Sequence, residues 1–280
     1  MRAAAPDPAM VVADLHAHTT ASDGTFTLDT LISTARTAGL DAVAVTDHDR
    51  IHPELDAPVV DRDGLTVVRG IELRVETDPG DGDGERVDLL GYGVGDDPDL
   101  RAECDRLQAD RRERGRRIIE RVEERLGVDL GVDPRAGLGR PHIARAIDES
   151  DADYDYEGAF EHLIGNDGPC YVPRSVTPVK RGVDLLRNAC AVVGLAHPFR
   201  YDDPSAALDR CIEHDLDAVE RFYPYADAVA DDPAAVEALA REHDLLLTGG
   251  TDAHGEELAV DGLDARRWDA VRERLPEARG

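Results

Sequence analysis

A chain of 280 residues is long enough to bury a full core, as one large α/β domain or two smaller ones. Its 60 acidic side chains against 32 Lys plus Arg, a formal charge of −28, exclude a broad cationic surface for long duplex nucleic acid but allow a short anionic substrate. No stretch approaches the ~20 apolar residues that cross a bilayer, and residues 1–8 carry one Arg and no apolar signal segment, so the protein reads as cytoplasmic. Residues 10–15 form a short apolar run that breaks into His16-Ala-His18-Thr-Thr-Ala-Ser-Asp23-Gly24. Residues 28–38 read as a helix stopped by Gly39. The β-rich run 41–46 ends in Asp47-His48-Asp49, the run 65–71 ends in Glu72, and residues 87–94 follow a Gly/Asp-rich turn at 78–84.

From residue 99 the pattern changes. Residues 99–126 form a long, Arg-rich helical segment, followed by Gly139-Arg-Pro-His142-Ile-Ala-Arg145 and Tyr171-Val-Pro-Arg174, without strand signals. The expected organisation is therefore a first barrel part at 1–98, a mostly helical insertion at 99–177 on the substrate side, and a second barrel part at 178–280. The arginines at 111–117 either guide substrate or pair on the surface with Glu113 and Glu120. The strand habit then returns: 191–196 ends in His197-Pro198, 216–219 ends near Glu220, and 245–247 runs into Thr248-Gly-Gly-Thr-Asp252-Ala-His254. Helical patterns at 206–213 and 233–242 separate them. Repeated β-then-α units imply a parallel sheet with crossover helices.

Two compositional features complete the reading. Lys180 is the single lysine, and an acidic, nearly lysine-free surface suits a salt-rich cytoplasm with a Debye length of ~3 Å; a GC-rich genome favours Arg over Lys as well. Cys104, Cys170, Cys190 and Cys211 show no Cys-x-x-Cys spacing and read as free buried thiols.

The position of the polar residues carries the functional argument. In parallel α/β barrels, ligand chemistry collects at the carboxyl ends of the strands. His16, His18, His48, Glu72, His197, Asp252 and His254 each end an apolar run or lie just beyond one, so five expected strands deliver imidazoles and carboxylates to one rim. His16 and His18, two apart on extended backbone, point to the same side, and Asp252 and His254 repeat that geometry. Each motif alone is weak: a His-x-His pair is as often solvated, Glu72 could pair with Arg69 or Arg74, and His197 could be a satisfied core histidine. Together they point to a multinuclear site, and mixed His/Asp/Glu ligation suits Mn²⁺, Zn²⁺ or Fe²⁺. His52, His162, His214 and His243 lie away from the strand ends and read as surface or packing residues.

His16-Ala-His18, Ser22-Asp23-Gly24, Thr46-Asp47-His48-Asp49, Gly70-Ile-Glu72, Ala196-His197-Pro198 and Thr251-Asp252-Ala-His254 occur in order and spacing over residues 10–256. This set resembles the PHP (polymerase and histidinol phosphatase) family, in particular its stand-alone phosphoesterases, which include nucleoside 3′,5′-bisphosphate phosphatases and RNase AM-like 5′→3′ exonucleases. The resemblance implies a distorted seven-stranded (β/α) barrel with two or three divalent ions. It implies that His16, His18, Glu72 and Asp252 hold one ion, that Asp23, His48 and His254 hold a second, and that Glu72 and His197 share a third with Asp88. Related enzymes commonly carry His at that last position. Arg140, His142 and Arg200 match positions that resemble phosphate contacts. The implied reaction is hydrolysis of a nucleotide or short-oligonucleotide phosphate ester by a metal-bridging water held by Glu72, His48 and Asp252. A histidinol-phosphate-type phosphatase and a catalytically silent metal-binding module are the alternatives.

Overall fold

A computed structural model describes residues 10–77, 85–225, 233–255 and 257–279; residues 1–8 and the turn expected at 78–84 lie outside them. The first elements are β1 (Ala13–Asp14), α1 (Leu28–Thr37), β2 (Ala42–Val45), β3 (Val59–Arg62), β4 (Leu65–Glu76) and β5 (Arg86–Tyr92). The helix α2 (Pro98–Leu126), α3 (Arg140–Asp148), α4 (Tyr156–Ala159) and a π-helical turn at Phe160–Ile164 follow. After β6 (Thr177–Pro178) come α5 (Val179–Ala189), β7 (Val192–Leu195), a 3₁₀ turn at Pro198–Arg200 and α6 (Pro204–Ile212). The chain finishes with β8 (Ala218–Phe222), α7 (Pro233–Glu242), β9 (Leu246–Gly249) and α8 (Ala265–Arg272). Among the described residues no helix is long and apolar enough to cross a membrane.

Seven strands run in the order β1-β2-β4-β5-β7-β8-β9, with β3 and β6 added beside β4. The Leu15 N–H donates to the Gly249 carbonyl at 3.0 Å, and Ala17 pairs with Ala253, which brings the first and last strands together into a nearly closed, distorted barrel. The sheet is not uniformly parallel, contrary to the sequence expectation: β5 lies antiparallel to both β4 and β7. The reason is the connection. Only nine residues, 77–85, join β4 to β5, too few for the crossover of a dozen or more that a parallel neighbour requires.

Strand alternation sorts the side chains. Val43, Val45 and Val67 pack with Leu28, Leu31, Ile32 and Ala35 of α1, whereas Ala42, Ala44 and Val68 join Leu15, Leu90, Tyr92, Ala196 and Ala218 in a separate cluster. On β4 and β5, Ile71, Leu73, Val75, Val87 and Leu89 pack with α2 and α5. The opposite face of those two strands therefore carries Glu72, Asp88 and Leu90.

The helix α2 starts where Asp97 accepts the Leu100 N–H at 2.8 Å with Pro98 in the first turn, and it stops at Gly127 in the left-handed region, φ 69°. Its second half joins Ile143, Ile147, Leu163, Ile164 and Val172 in an apolar cluster distinct from the strand clusters. All four cysteines are free thiols; three are buried and Cys190 is half-buried. The helix α8 was absent from the sequence reading; it packs Trp268 and Val271 onto the cluster around Leu15 and Tyr92.

Candidate metal centre

Four strand ends contribute to one largely buried cluster. His16 and His18 follow β1, His48 follows β2, His197 follows β7, and Asp252 and His254 follow β9; Glu72 lies within β4 rather than at its end, because that strand continues to Glu76. The bridge between His48 and Glu72 keeps β2 and β4 aligned up to the site. Asp23 comes from the loop after His18, which is held shut by Asp47: its Oδ1 accepts from the Thr19 N–H at 2.8 Å and the Ser22 hydroxyl at 2.6 Å.

Three groups of ligand-type atoms lie within 4.8 Å of one another: His18, Asp23, His48 and His254; His16, His18 and Glu72; and Glu72, Asp88 and His197. Asp252 adds to the second group, with Oδ1 at 3.0 Å from His18 Nε2 and 3.3 Å from His16 Nε2. Glu72 touches all three groups. Its Oε2 is 2.6 Å from His48 Nδ1 and 3.5 Å from His18 Nε2, and its Oε1 is 3.1 Å from His197 Nε2.

A cation fits these residues on a direct test. Buried polar atoms are normally hydrogen-bonded, yet His16 Nε2, His18 Nδ1, Asp23 Oδ1 and His197 Nδ1 are buried without a hydrogen-bond partner among the described residues. Concentrating so many lone pairs without donors is costly unless a cation satisfies them.

The electrostatics agree. Burial opposes charge on Glu72, but the His48 and His16 imidazoles hold its carboxyl well below the usual range. Burial likewise opposes protonation of His48, but Glu72 and Asp23 push it up to about 9. The carboxylates are therefore ionised, and binding a cation releases imidazole protons.

The surrounding residues hold this set in place. His16 Nδ1 lies 3.0 and 3.2 Å from the two oxygens of Glu220, a wholly buried carboxylate that also accepts the His197 N–H at 2.8 Å. His197 (φ 28°) and Asp252 (φ 54°) adopt left-handed backbone, which costs a non-glycine residue on the order of 1–3 kcal/mol and is kept only where surroundings enforce it. Tyr223 donates to Asp252 Oδ2 at 2.9 Å, and Arg200 reaches both Tyr223 Oη (3.1 Å) and Asp252 Oδ2 (3.3 Å).

Asp23 and His48 also line a cavity of about 220 Å³ whose other walls include Arg74, Arg86, Arg111, Arg114, Arg140 and Arg174, with Phe160 and Tyr171. Arg111 and Arg174 both bond Asp49 Oδ2, each at 2.5 Å, and Arg174 Nε is buried without a partner. Burial and neighbouring guanidiniums lower Arg114 to about 10, and burial lowers Arg174 to about 10 against the pull of Asp49. Arg140 stands at the start of α3, bonding the Ile164 carbonyl and Asn166, with its guanidinium 5.8 and 5.9 Å from the Phe160 and Tyr171 rings. His142 caps the same helix, its Nδ1 accepting the Gly139 N–H at 3.1 Å.

The structure thus brings His16, His18, Asp23, His48, Glu72, His197, Asp252 and His254 together, with Asp88 beside Glu72 and His197. In the Arg-rich helix, Arg111 and Arg114 line the cavity, whereas Arg116 pairs with Glu113 and Glu120 on the surface. Glu220, Tyr223 and Arg74 were missed. Glu220 was detectable as a carboxylate at the end of the 216–219 run; Arg74 was named only as a possible partner of Glu72, whereas it pairs with Asp88, and Tyr223 carried no signal before the strands were paired.

A family model for the PHP domain matches residues 14–162. The 5′-3′ exoribonuclease Rnm of Escherichia coli is 28% identical over 259 residues, covering 87% of this chain and 85% of that protein. The phosphoribosyl 1,2-cyclic phosphate 1,2-diphosphodiesterase of Eggerthella lenta is 29% identical over 256 residues, covering 88% and 95%. A solved structure from Bifidobacterium adolescentis, provisionally described as a metal-dependent phosphoesterase, shares the fold with a TM-score of 0.78 at 24% identity, covering 97% of this chain and 99% of that one.

Proposed function

The chain belongs to the PHP family, and from that premise we propose that it is a metal-dependent phosphoesterase hydrolysing nucleotide phosphates, either 3′,5′-bisphosphates or short 5′-phosphorylated oligonucleotides. One observation carries the reading: the cluster of unpartnered buried donors opens, through Asp23 and His48, into an arginine-walled cavity. A site for divalent ions and a site for a polyanion therefore share one space.

His16, His18, Glu72 and Asp252 are the ligands proposed for one ion, and Asp23, His48 and His254 for a second. Mn²⁺, Zn²⁺ or Fe²⁺ suits this donor set. Bound there, such ions would supply an activated water at neutral pH and neutralise phosphoryl charge. The protein's own contribution is placement. Glu72 reaches both groups and would hold ligands of each together, and Glu220 fixes the His16 ring, leaving Nε2 as the nitrogen that would bind an ion. Arg140 offers a forked donor to a phosphate that is not cleaved, with Arg200 and His142 as further contacts. Tyr171 and Phe160 supply faces for a base. The acidic, lysine-poor surface supports work in a salt-rich cytoplasm.

The test is a screen of 3′,5′-bisphosphates, mononucleotides, 5′-phosphorylated oligonucleotides and histidinol phosphate, in high salt with defined Mn²⁺, alongside His48→Ala. We expect turnover of a nucleotide substrate that chelation abolishes and that the folded variant lacks. Unchanged turnover in His48→Ala, or none with any substrate in the metal-replete native protein, defeats the proposal; the second result favours the silent binding module.

A further inference from the structure

The cluster of Glu72, Asp88 and His197 differs from the other two in how its donors are engaged. His16 Nε2, His18 Nδ1 and Asp23 Oδ1 in the other two, and His197 Nδ1 in this one, have no hydrogen-bond partner among the described residues. Asp88 is committed on both oxygens: Arg74 Nε donates to Oδ1 at 2.7 Å and Arg74 Nη2 to Oδ2 at 2.5 Å. This is the two-pronged geometry in which guanidinium and carboxylate match best. It is set by the sheet rather than by a chance rotamer. Arg74 and Asp88 lie directly opposite each other across the antiparallel β4–β5 pair, and Arg74 follows Glu72 by two positions on the same face. The Asp88 N–H is held in turn by Tyr201 Oη at 2.9 Å. A buried carboxylate in this setting requires a positive partner, and Arg74 is one.

We propose that Arg74 takes the place of a third tightly bound ion, so that this chain holds two divalent ions firmly and keeps the Glu72–Asp88–His197 corner charged by a guanidinium. The inference rests on the metal-dependent reading above. An ion entering this corner must share the Asp88 carboxylate with Arg74 or displace it, and in either case it sits beside the guanidinium cation, an unfavourable like-charge contact at short range. Arg74 also lines the arginine cavity. Its position on β4 therefore gives a phosphoryl group arriving at Asp23 and His48 a fixed positive neighbour that chelators cannot strip.

Equilibrium dialysis of ion-free protein against a graded series of Mn²⁺, with metal and protein quantified, tests this without reference to turnover. The native protein should take up two equivalents tightly, and a third at least about tenfold more weakly, the equivalent of ~1.4 kcal/mol. Arg74→Gln, which removes the cation, should tighten the third equivalent by at least about tenfold. Arg74→Lys, which keeps the charge, should not. Circular dichroism melts establish that each variant is folded. If Arg74→Gln does not fold, the native stoichiometry and Arg74→Lys decide: a third equivalent as tight as the first two in the native protein, or gained in Arg74→Lys, overturns the proposal. So does a folded Arg74→Gln that gains nothing. Native protein that binds no Mn²⁺ at all fails differently, because it removes the metal-dependent reading as well.

Discussion

Replacing Glu220 by Gln tests how far a carboxylate outside the ligand set governs the metal centre. Glu220 is wholly buried, takes the His16 ring on both oxygens and accepts the His197 N–H at 2.8 Å. Gln preserves the volume, removes the charge and turns one acceptor oxygen into a donor nitrogen. Whichever way the amide turns, either the His197 N–H or His16 Nδ1 faces an N–H group. In one orientation the His16 tautomer with Nε2 free for an ion is no longer enforced; in the other the left-handed backbone of His197 loses its anchor. Loss of such a supporting partner weakens metal binding roughly 10–100-fold, which is ~1.4–2.8 kcal/mol. The assay is competition between ion-free protein and a chromophoric chelator for Mn²⁺ and Zn²⁺, with urea unfolding of the ion-free forms as a control for folding. Affinity within about twofold of the native value, in a folded variant, would refute the positioning role.

Arg140→Ala should lower kcat/KM by roughly 10–150-fold, from the ~1.5–3 kcal/mol of a hydrogen bond to a charged group, with metal content unchanged; a parallel loss of metal would contradict a substrate role. Gly250→Ala places a Cβ 2.3 Å from His16 N and 2.6 Å from His16 Cβ, so β9 must move away from β1. Its urea midpoint should fall by an amount worth about 1–3 kcal/mol, and its metal content should fall with it; native-like values for both would show that the strand ends tolerate separation. Glu103 is hydrogen-bonded by Arg106 and Thr177, which outweigh its burial and lower it to about 2. A carboxyl lowered by folding stabilises the fold above the usual carboxylate range and loses that contribution as pH falls towards about 2. The stability gap between native protein and Glu103→Gln, read from urea midpoints, should therefore narrow as acid is added; a gap independent of pH would count against the ion pair.

What the sequence determined by itself is local. His16-x-His18 and Asp252-x-His254 project paired groups because extended backbone repeats every two residues, and most of the polar groups follow apolar runs because polar chemistry collects at the carboxyl ends of barrel strands. Thr27, Asp97 and Gly127 mark helix ends that need no distant partner. Tertiary structure decided everything that depends on which strand lies beside which. The reversal of β5 sets Asp88 against Arg74, and no spacing in the chain announces that pairing. Glu220 meets His16 across 204 residues, and Arg174 meets Asp49 across 125, so their partners exist only after the barrel closes. The candidate ligands were legible because they follow strand ends along one chain; the contacts that orient them were not, because they form between chain segments whose adjacency is set by sheet order and packing.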